Sequence, residues 1–312
     1  MSAPIQIRMG GYGPPTTGFS KSLRFIGDRL EKQFGPRVDI KYVFNIMDLG
    51  YKSEDILWLV EHGLLTLGYQ SASYLTDRVP ELGFADLPFL FSSNAQARAA
   101  MDGALGDYLV KKIEDRVNYR ILGWFENGFR HISNRLHPIR KPEDMKGLRI
   151  RALDSAVQVR TLELLGSIPF PMGLPDAIKA MKAGEVDAQE NPFANTVTYG
   201  VHQLHKFHTA SRHFYISRGI FVNREAFESW PRDVQQGLRD AVKEAVAAQR
   251  GFAVAEEEES RRIIEASGGE VIDLTPVERA AFVAAVQPVY DEARKTCGEE
   301  VFSLLPRAGA MV

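Results

Sequence analysis

Short strand-forming segments alternate with amphipathic helical segments from the start of the chain, and this alternation restricts the fold most. Residues 5–9 alternate apolar and polar side chains, as a half-buried strand does, and a glycine- and proline-rich turn follows. Apolar residues then recur at helical spacing over residues 17–34, before a second strand at 38–44 and a third at 64–69. Strands joined by helices of this length favour βαβ units, so we predict an α/β fold with a mostly parallel sheet.

The rest of the chain continues the pattern and adds one very long helix. We predict strands at 119–125, 129–133, 148–152 and 214–223, and helices at 155–165 and 174–183. Residues 231–267 form one helical segment, with Pro231 near its start and Gly268 and Gly269 at its end. Thr275 and Glu278 form a capping-box pair that opens a last amphipathic helix.

The chain has 312 residues, which exceeds the length of about 250–300 residues at which a single hydrophobic core usually divides. No flexible linker separates two halves, so we place the crossings between domains inside strands, near residues 124–126 and 211–217. We predict that residues 1–124 and 211–250 form a first α/β ligand-binding lobe. Residues 125–210 and 251–312 then form a second α/β lobe.

Composition excludes several classes of protein. The chain carries 38 basic and 40 acidic residues, and this balance argues against nucleic acid as a partner, because phosphate neutralisation needs a basic excess. The single cysteine, Cys297, excludes a disulfide framework and a four-thiolate zinc site. The most apolar stretch, residues 56–69, contains Glu61 and His62 and is too short to span a bilayer, so we expect no stable membrane insertion.

Two motifs of the sequence resemble cofactor-binding or metal-binding patterns only in part. Gly11 and Gly13 follow a strand and precede a helix, but Thr16 replaces the third glycine of a dinucleotide-binding turn, so a ligand-facing turn is favoured. His202, His205, His208 and His213 lie close in sequence, yet no acidic residue lies between 191 and 224 to complete a metal site. We therefore expect no metal and no cofactor.

One segment is strongly basic in an otherwise slightly acidic chain. Residues 128–151 hold seven lysines and arginines against Glu143 and Asp144, a net charge of +5. Arginine suits planar, bidentate recognition of a carboxylate. For Arg135, Arg140 and Lys141 we favour a solvated surface or ion pairs within the protein. For Arg130 and Arg151 the residue pattern leaves ligand binding and internal pairing both open.

Several segments together resemble the solute-binding protein of a tripartite ATP-independent periplasmic (TRAP) transporter, the DctP family. The resemblance covers nearly the whole chain, and the ordered set of segments is more specific than any one of them. The segments are 49–50, 60–63 (VEHG), 86–91 (DLPFLF), 147–151 (GLRIR), 165–172 (LGSIPFPM) and 180–192 (AMKAGEVDAQENP).

The resemblance implies a two-domain periplasmic-binding-protein fold, with a hinge of crossing strands and a long helix that spans both domains. It implies capture rather than catalysis: a small organic acid anion enters an interdomain cleft, the domains close, and the protein delivers the anion to the TRAP membrane subunits. It also implies a periplasmic location. The first five residues have no apolar signal core, which fits either a cytosolic protein or a mature chain without its signal peptide, and the resemblance favours the second.

By the same resemblance, Arg151 pairs with the ligand carboxylate, Arg130 is a second basic position, and Asn191 lies near the same carboxylate. Gln70 occupies a first-domain ligand position that is acidic in the sialic-acid branch of the family. The other candidate pocket residues share an apolar or aromatic side chain, and they are Tyr12, Tyr69, Trp124, Phe129, Leu174 and Phe193. This set favours a monocarboxylate with an apolar or aromatic body. Leu153, Ala188 and Leu174 depart from the family pattern and weaken a sialic-acid assignment.

Other functions stay open at the level of sequence. An enzyme on the same scaffold would need an acid–base pair, for which Glu190 and Asp187 are the candidates. A sensor ectodomain and a binding protein of another transporter class are further alternatives. Dicarboxylates and sugar acids are also open as ligands, since Arg130 could serve a second carboxylate.

Overall fold

A computed structural model describes residues 3–306 as a mixed α/β protein, which confirms the predicted fold class. The chain divides into two compact units. The first comprises the residues up to Ala72, together with Asp107–Glu126 and Ser217–Val254. The second comprises Ser73–Gly106, Asn127–Ile216 and the residues from Ala255 onward.

The strands and helices alternate along most of the chain. The strands of residues 3–306 are β1 (Ile5–Gly10), β2 (Val38–Val43), β3 (Leu67–Ser71), β4 (Tyr119–Asn134), β5 (Arg149–Ala152), β6 (Ile168–Pro171), β7 (Ala188–Asn191), β8 (Phe207–Asn223) and β9 (Glu270–Asp273). The α-helices of the same residues are α1 (Gly18–Phe34), α2 (Asp55–Glu61), α3 (Asn94–Met101), α4 (Ala104–Glu114), α5 (Ala156–Leu164), α6 (Leu174–Ala183), α7 (Phe193–Thr198), α8 (Arg224–Ser229), α9 (Arg232–Ala266), α10 (Pro276–Ala285) and α11 (Gln287–Cys297).

In the first unit, β1 is the central strand of a parallel set. It pairs with β2 on one side and with β3 on the other, and β3 pairs antiparallel with residues 218–222 of β8. Helix α1 begins at Thr17, whose side chain accepts a hydrogen bond from the backbone of Ser20, and it buries Leu23 and Ile26 completely. The repeat of these apolar positions gives the helix one buried face, as the sequence predicts.

In the second unit, β5 lies between β6 and β7 and is parallel to both. Strand β7 also pairs antiparallel with β4, which places His131 opposite Asn191. Because the carboxyl ends of parallel strands meet at one edge, the ends of β5, β6 and β7 bring their last residues together there. A core that includes Ile150, Leu162 and Phe282 lies behind these strands.

Four of these elements contain residues of both units: α4, β4, β8 and α9. The chain passes between the units after Ala72, Gly106, Glu126, Ile216 and Val254. Helix α9 has 35 residues and matches the long helix predicted over 231–267 to within one residue at each end. No helix within residues 3–306 is both long and apolar enough to cross a membrane.

The structure differs from three sequence-based expectations. Residues 73–106 were expected in the first lobe but belong to the second unit, where Asp86 accepts hydrogen bonds from Ser73 and Ser155. The strands predicted at 119–125 and 129–133 form one continuous strand, β4. The last predicted helix is two helices, because Pro288 at the start of α11 lacks the N–H needed to continue α10.

Candidate functional site

Arg151 is the central residue of the candidate site. It lies in β5 and is only 2% exposed to solvent. Its Nε donates a hydrogen bond to the carbonyl of Met172 at 3.0 Å. Its Nη2 lies 3.3 Å from the hydroxyl of Tyr74. No carboxylate of residues 3–306 forms an ion pair with this guanidinium, so the protein buries a positive charge without a negative partner there.

Two other predicted site residues lie at the same edge of the second unit. Asn191 ends β7 and is buried, and its amide donates to Gln189, which is opposite Arg151 in the strand register. Leu174 is buried at the start of α6, two residues after Met172. Strand ends of this kind are where open α/β sheets usually bind ligands.

Arg130 has a different environment from Arg151. Its guanidinium forms a fully buried ion pair with Glu190, with its Nη2 at 2.8 Å from Oε1, and Nη2 also donates to the carbonyl of Glu190. Its Nη1 donates to the side chain of Asn127 at 3.2 Å. The sequence left open whether Arg130 pairs with a ligand or within the protein, and the structure pairs it with Glu190.

The other arginines of the basic segment are also paired. Asp187 binds Arg149 at 2.7 Å and Arg135 at 2.6 Å, and these hydrogen bonds, Arg149 first, lower the pKa of Asp187 below its usual value. Gly184 ends α6 in a left-handed conformation, φ +74°, and its carbonyl accepts from Arg149. Arg140 pairs with Glu278 at 3.3 Å, so the internal pairing expected for Arg135 and Arg140 is confirmed.

The first unit brings Tyr12, Tyr69 and Gln70 together around a second buried guanidinium. Gln70 is buried; its Nε2 donates to the carbonyl of Ser53 at 2.6 Å, and its Oε1 accepts from Arg218 Nη1 at 3.0 Å. The Arg218 guanidinium lies 5.1 Å from the ring centre of Tyr12, and the rings of Tyr12 and Tyr69 are 5.3 Å apart. The second aromatic face beside this cation is that of Phe19, whose ring centre lies 5.6 Å from the guanidinium.

Arg218 and Tyr74 were missed in the sequence. Arg218 is only 5% exposed, although it lies in the apolar part of β8. An arginine among the apolar residues 214–222 of β8 is the signal that points to it, because arginine is seldom buried unless its charge has a partner. Tyr74 lies in a short helical turn that carries no motif, so local sequence does not connect it with Arg151.

The structure does not join Trp124, Phe193 and Phe129 to these groups. Trp124 is buried in β4, and none of the ring contacts found within residues 3–306 involves it. Phe193 stacks on His131 at 4.2 Å and lines a cavity of about 480 Å³ whose lining includes neither Arg151 nor Asn191. Phe129 packs edge-on against Tyr215 at 5.1 Å.

The clustered histidines are packing residues of the second unit. Burial lowers the pKa of His205 to about 3 and that of His208 to about 4, and it holds the pKa of His213 well below its usual value. His205 shares a hydrogen bond with Ser133 at 2.9 Å. In the part of the chain that the structure describes, no group of three histidine, cysteine or acidic side chains is arranged to hold a metal ion.

A buried guanidinium without an acidic partner, at the carboxyl ends of parallel strands, defines a protein that binds small anions. The family model for bacterial extracellular solute-binding proteins, family 7 (DctP), matches residues 10–296, and the chain belongs to this family. The resemblance to the solute-binding proteins of TRAP transporters is thereby confirmed. Members of the family work outside the cytoplasm.

Individual relatives agree with this assignment. A solute-binding protein of Verminephrobacter eiseniae is 31% identical over 86% of this chain and 79% of its own. The TRAP periplasmic solute-binding protein of Polaromonas sp. JS666, solved with D-erythronate, is 26% identical, with a TM-score of 0.91 over 98% of this chain and 99% of its own. That of Sulfurospirillum deleyianum, solved with succinate, is 26% identical, with a TM-score of 0.90 and the same coverage.

Proposed function

We propose that this protein captures a small organic acid anion through Arg151 in the periplasm and delivers it to the membrane subunits of a TRAP transporter. The observation that carries the proposal is the buried Arg151 guanidinium, which has no acidic partner in residues 3–306. Burying a charge without a counter-charge is costly, and a ligand carboxylate supplies the missing partner. The planar fork of arginine matches a carboxylate with two parallel hydrogen bonds.

We propose a monocarboxylate with an apolar or aromatic body as the ligand. Arg130 supports this choice, because its charge is already cancelled by Glu190. Leu174, Tyr12 and Tyr69 supply apolar and aromatic surface for the body of the ligand. The relative from Polaromonas was solved with D-erythronate, which supports a single carboxylate but has a hydroxylated rather than an apolar body.

A dicarboxylate is the second candidate ligand. The observation in its favour is the buried guanidinium of Arg218, whose Nη1 hydrogen-bonds to a neutral amide, Gln70. The relative from Sulfurospirillum deleyianum was solved with succinate, which has two carboxylates. In this alternative Arg218 receives the second carboxylate.

Asn191 is proposed to donate to the carboxylate held by Arg151, and Gln70 to hold Arg218 in place. Trp124 and Phe193 stay predicted ligand contacts. Arg130 is proposed to affect ligand binding without touching the ligand, because its ion pair with Glu190 fixes the residue that precedes Asn191. We propose that the two units serve as the two ligand-binding lobes. We also propose that the protein does not turn its ligand over, since Glu190 and Asp187 are both committed to arginines.

Ligand identification tests the proposal directly. Native mass spectrometry of the purified protein, followed by a thermal-shift screen of mono- and dicarboxylic acids, should find at least one acid that raises the melting temperature. Calorimetry with that acid should show weaker binding to Arg151→Lys, because an ammonium cannot make the planar fork. Equal affinity in Arg151→Lys would contradict the bidentate contact, and chemical conversion of the bound acid over hours would contradict the absence of turnover.

A further inference from the structure

We propose that Arg212 and Arg279 of the second unit form another anion site, beside the cavity of about 480 Å³ that Phe193 lines. The ligand class is a small anion with an oxyanion head group, either a carboxylate or a phosphate. The lining of this cavity does not contain Arg151, so the site is distinct from the one proposed for the transported acid.

The acidic side chains of this cavity form no ion pair with either arginine, although the charge of Glu257 partly offsets the effect of burial on the pKa of Arg212. Glu257 lies 3.1 Å from His131 Nε2 and accepts hydrogen bonds from two backbone N–H groups at the start of α7. Asp273 is held by both terminal nitrogens of Arg261, at 2.9 and 2.6 Å. Glu258 is exposed and forms no ion pair with any cation of residues 3–306. The carboxylates therefore have other partners or face solvent.

Arg212 and Arg279 keep most of their hydrogen-bonding capacity. The Arg212 guanidinium lies 4.0 Å from the ring centre of Phe129 and makes no hydrogen bond to the described part of the chain. Arg279 donates once, to the carbonyl of Ser211 at 2.9 Å, and lies 4.8 Å from the ring centre of Phe89. Burial and then the charge of Arg212 lower the pKa of Arg279, as expected of two neighbouring cations that are partly buried.

The backbone around the pair is also unusual. Arg212 has a φ of +48° and Phe89 a φ of +56°, and they are the two non-glycine residues with positive φ among residues 3–306. The Phe89 N–H donates to the carbonyl of His213 at 2.7 Å. Because His213 follows Arg212 directly, this bond places the two residues with positive φ next to each other. A left-handed conformation is unfavourable for these residue types, and such conformations concentrate where function requires a particular side-chain direction. Here that conformation presents the Arg212 side chain beside Arg279.

Anion-dependent stability tests the proposal. The melting temperature is measured in sodium phosphate, sodium malonate and sodium chloride at equal ionic strength, for wild type and for Arg151→Ala. A bound anion stabilises the folded protein by mass action, so phosphate, malonate or both should raise the melting temperature by several degrees over chloride in both proteins. A rise with phosphate alone identifies a phosphate head group, and a rise with malonate alone identifies a carboxylate.

Substitutions locate the effect. Arg212→Gln and Arg279→Gln should each abolish the rise, whereas Arg262→Gln, which removes an exposed arginine paired with Glu259, should keep it. Arg212→Gly removes the guanidinium but suits a positive φ, so it should melt at or above the wild-type temperature in chloride and still show no rise. No rise in any anion, or a rise that persists in Arg212→Gln and Arg279→Gln, would overturn the proposal. The Arg151→Ala protein lacks the guanidinium proposed to bind the transported acid, so an anion effect in this variant cannot come from that site. The proposed anion site and the proposed transport function can therefore fail independently.

Discussion

Arg130 and Glu190 form an ion pair that is completely buried in the second unit, and Glu190 also accepts from Arg130 through its backbone carbonyl. Arg151, two strands away in the same unit, is equally buried but has no acid beside it. One guanidinium is thus paired within the protein, and the other has no acidic partner among residues 3–306.

Glu190→Gln should destabilise the protein by about 3–5 kcal/mol, because it leaves the buried Arg130 without a counter-charge while changing little in volume. Chemical denaturation measures this loss of unfolding free energy. Glu292→Gln is the matched control, since it breaks an ion pair with Arg160 that is about half exposed, and it should change stability little. Equal effects of the two substitutions would show that the buried pair is not a major source of stability.

Arg151→Ala should weaken binding of the identified organic acid by about 2–5 kcal/mol, the usual effect of removing one partner of a buried charge pair. Arg149→Ala removes the same charge two residues earlier in β5 and should leave affinity nearly unchanged, because the Arg149 side chain is committed to Asp187. Calorimetry on both variants gives the comparison. Similar losses in both would mean that the general positive field, rather than the Arg151 contact, controls binding.

Gln70→Glu should lower the affinity for the organic acid, because it places a carboxylate within hydrogen-bond distance of Arg218 and cancels that charge. The loss should be larger for dicarboxylates than for monocarboxylates if Arg218 receives a second carboxylate. Gln70→Ala is the control that removes the amide without adding a charge. Unchanged affinity in Gln70→Glu, with folding intact by circular dichroism, would exclude a role for this part of the first unit.

Stability should fall as the pH decreases from about 6.5 towards 4. In the unfolded chain histidine takes up a proton near pH 6.5, whereas the folded protein holds the pKa of His208 at about 4 and that of His205 at about 3. The unfolded state therefore binds more protons in this window, which favours unfolding by at most about 3 kcal/mol through His208. Burial raises the pKa of Asp86, which acts in the opposite direction, because the folded state then takes up that proton first.

His208→Gln should reduce the fall in unfolding free energy between pH 7 and pH 4.5, measured by urea denaturation at each pH. His137→Gln, a substitution of an exposed histidine, serves as the control and should keep the wild-type pH dependence. A pH dependence that is identical in His208→Gln and wild type would show that this residue does not contribute to acid sensitivity.

Residue patterns within a short stretch of sequence predicted the helix α9 and the capping box at Thr275 correctly. The apolar repeat, with a proline before it and two glycines after it, predicted α9 to within one residue. The capping box at Thr275 is present, with Glu278 accepting from the Thr275 N–H at 2.7 Å. The length of β4 was underestimated, because Glu126, Asn127 and Gly128 resemble a break, although the strand continues through them.

Partners far apart in sequence could not be predicted in the same way. Glu190 lies 60 residues from Arg130, and no local pattern connects the two. Residues 73–106 carry weak periodicity, and their place in the second unit depends on contacts such as that of Asp86 with Ser155, 69 residues away. The position of Arg151 was implied by family resemblance, whereas its lack of an acidic partner emerged only from the structure.

The chain changes unit five times along its length, and this has a practical consequence for protein engineering. Each unit is built from three separated pieces of sequence, so no single contiguous gene fragment encodes either one. Cutting at Glu126 would leave one fragment with β1 to β3 but without the residues of β8 that complete their pairing. Isolating a unit would require splicing its three pieces with new loops.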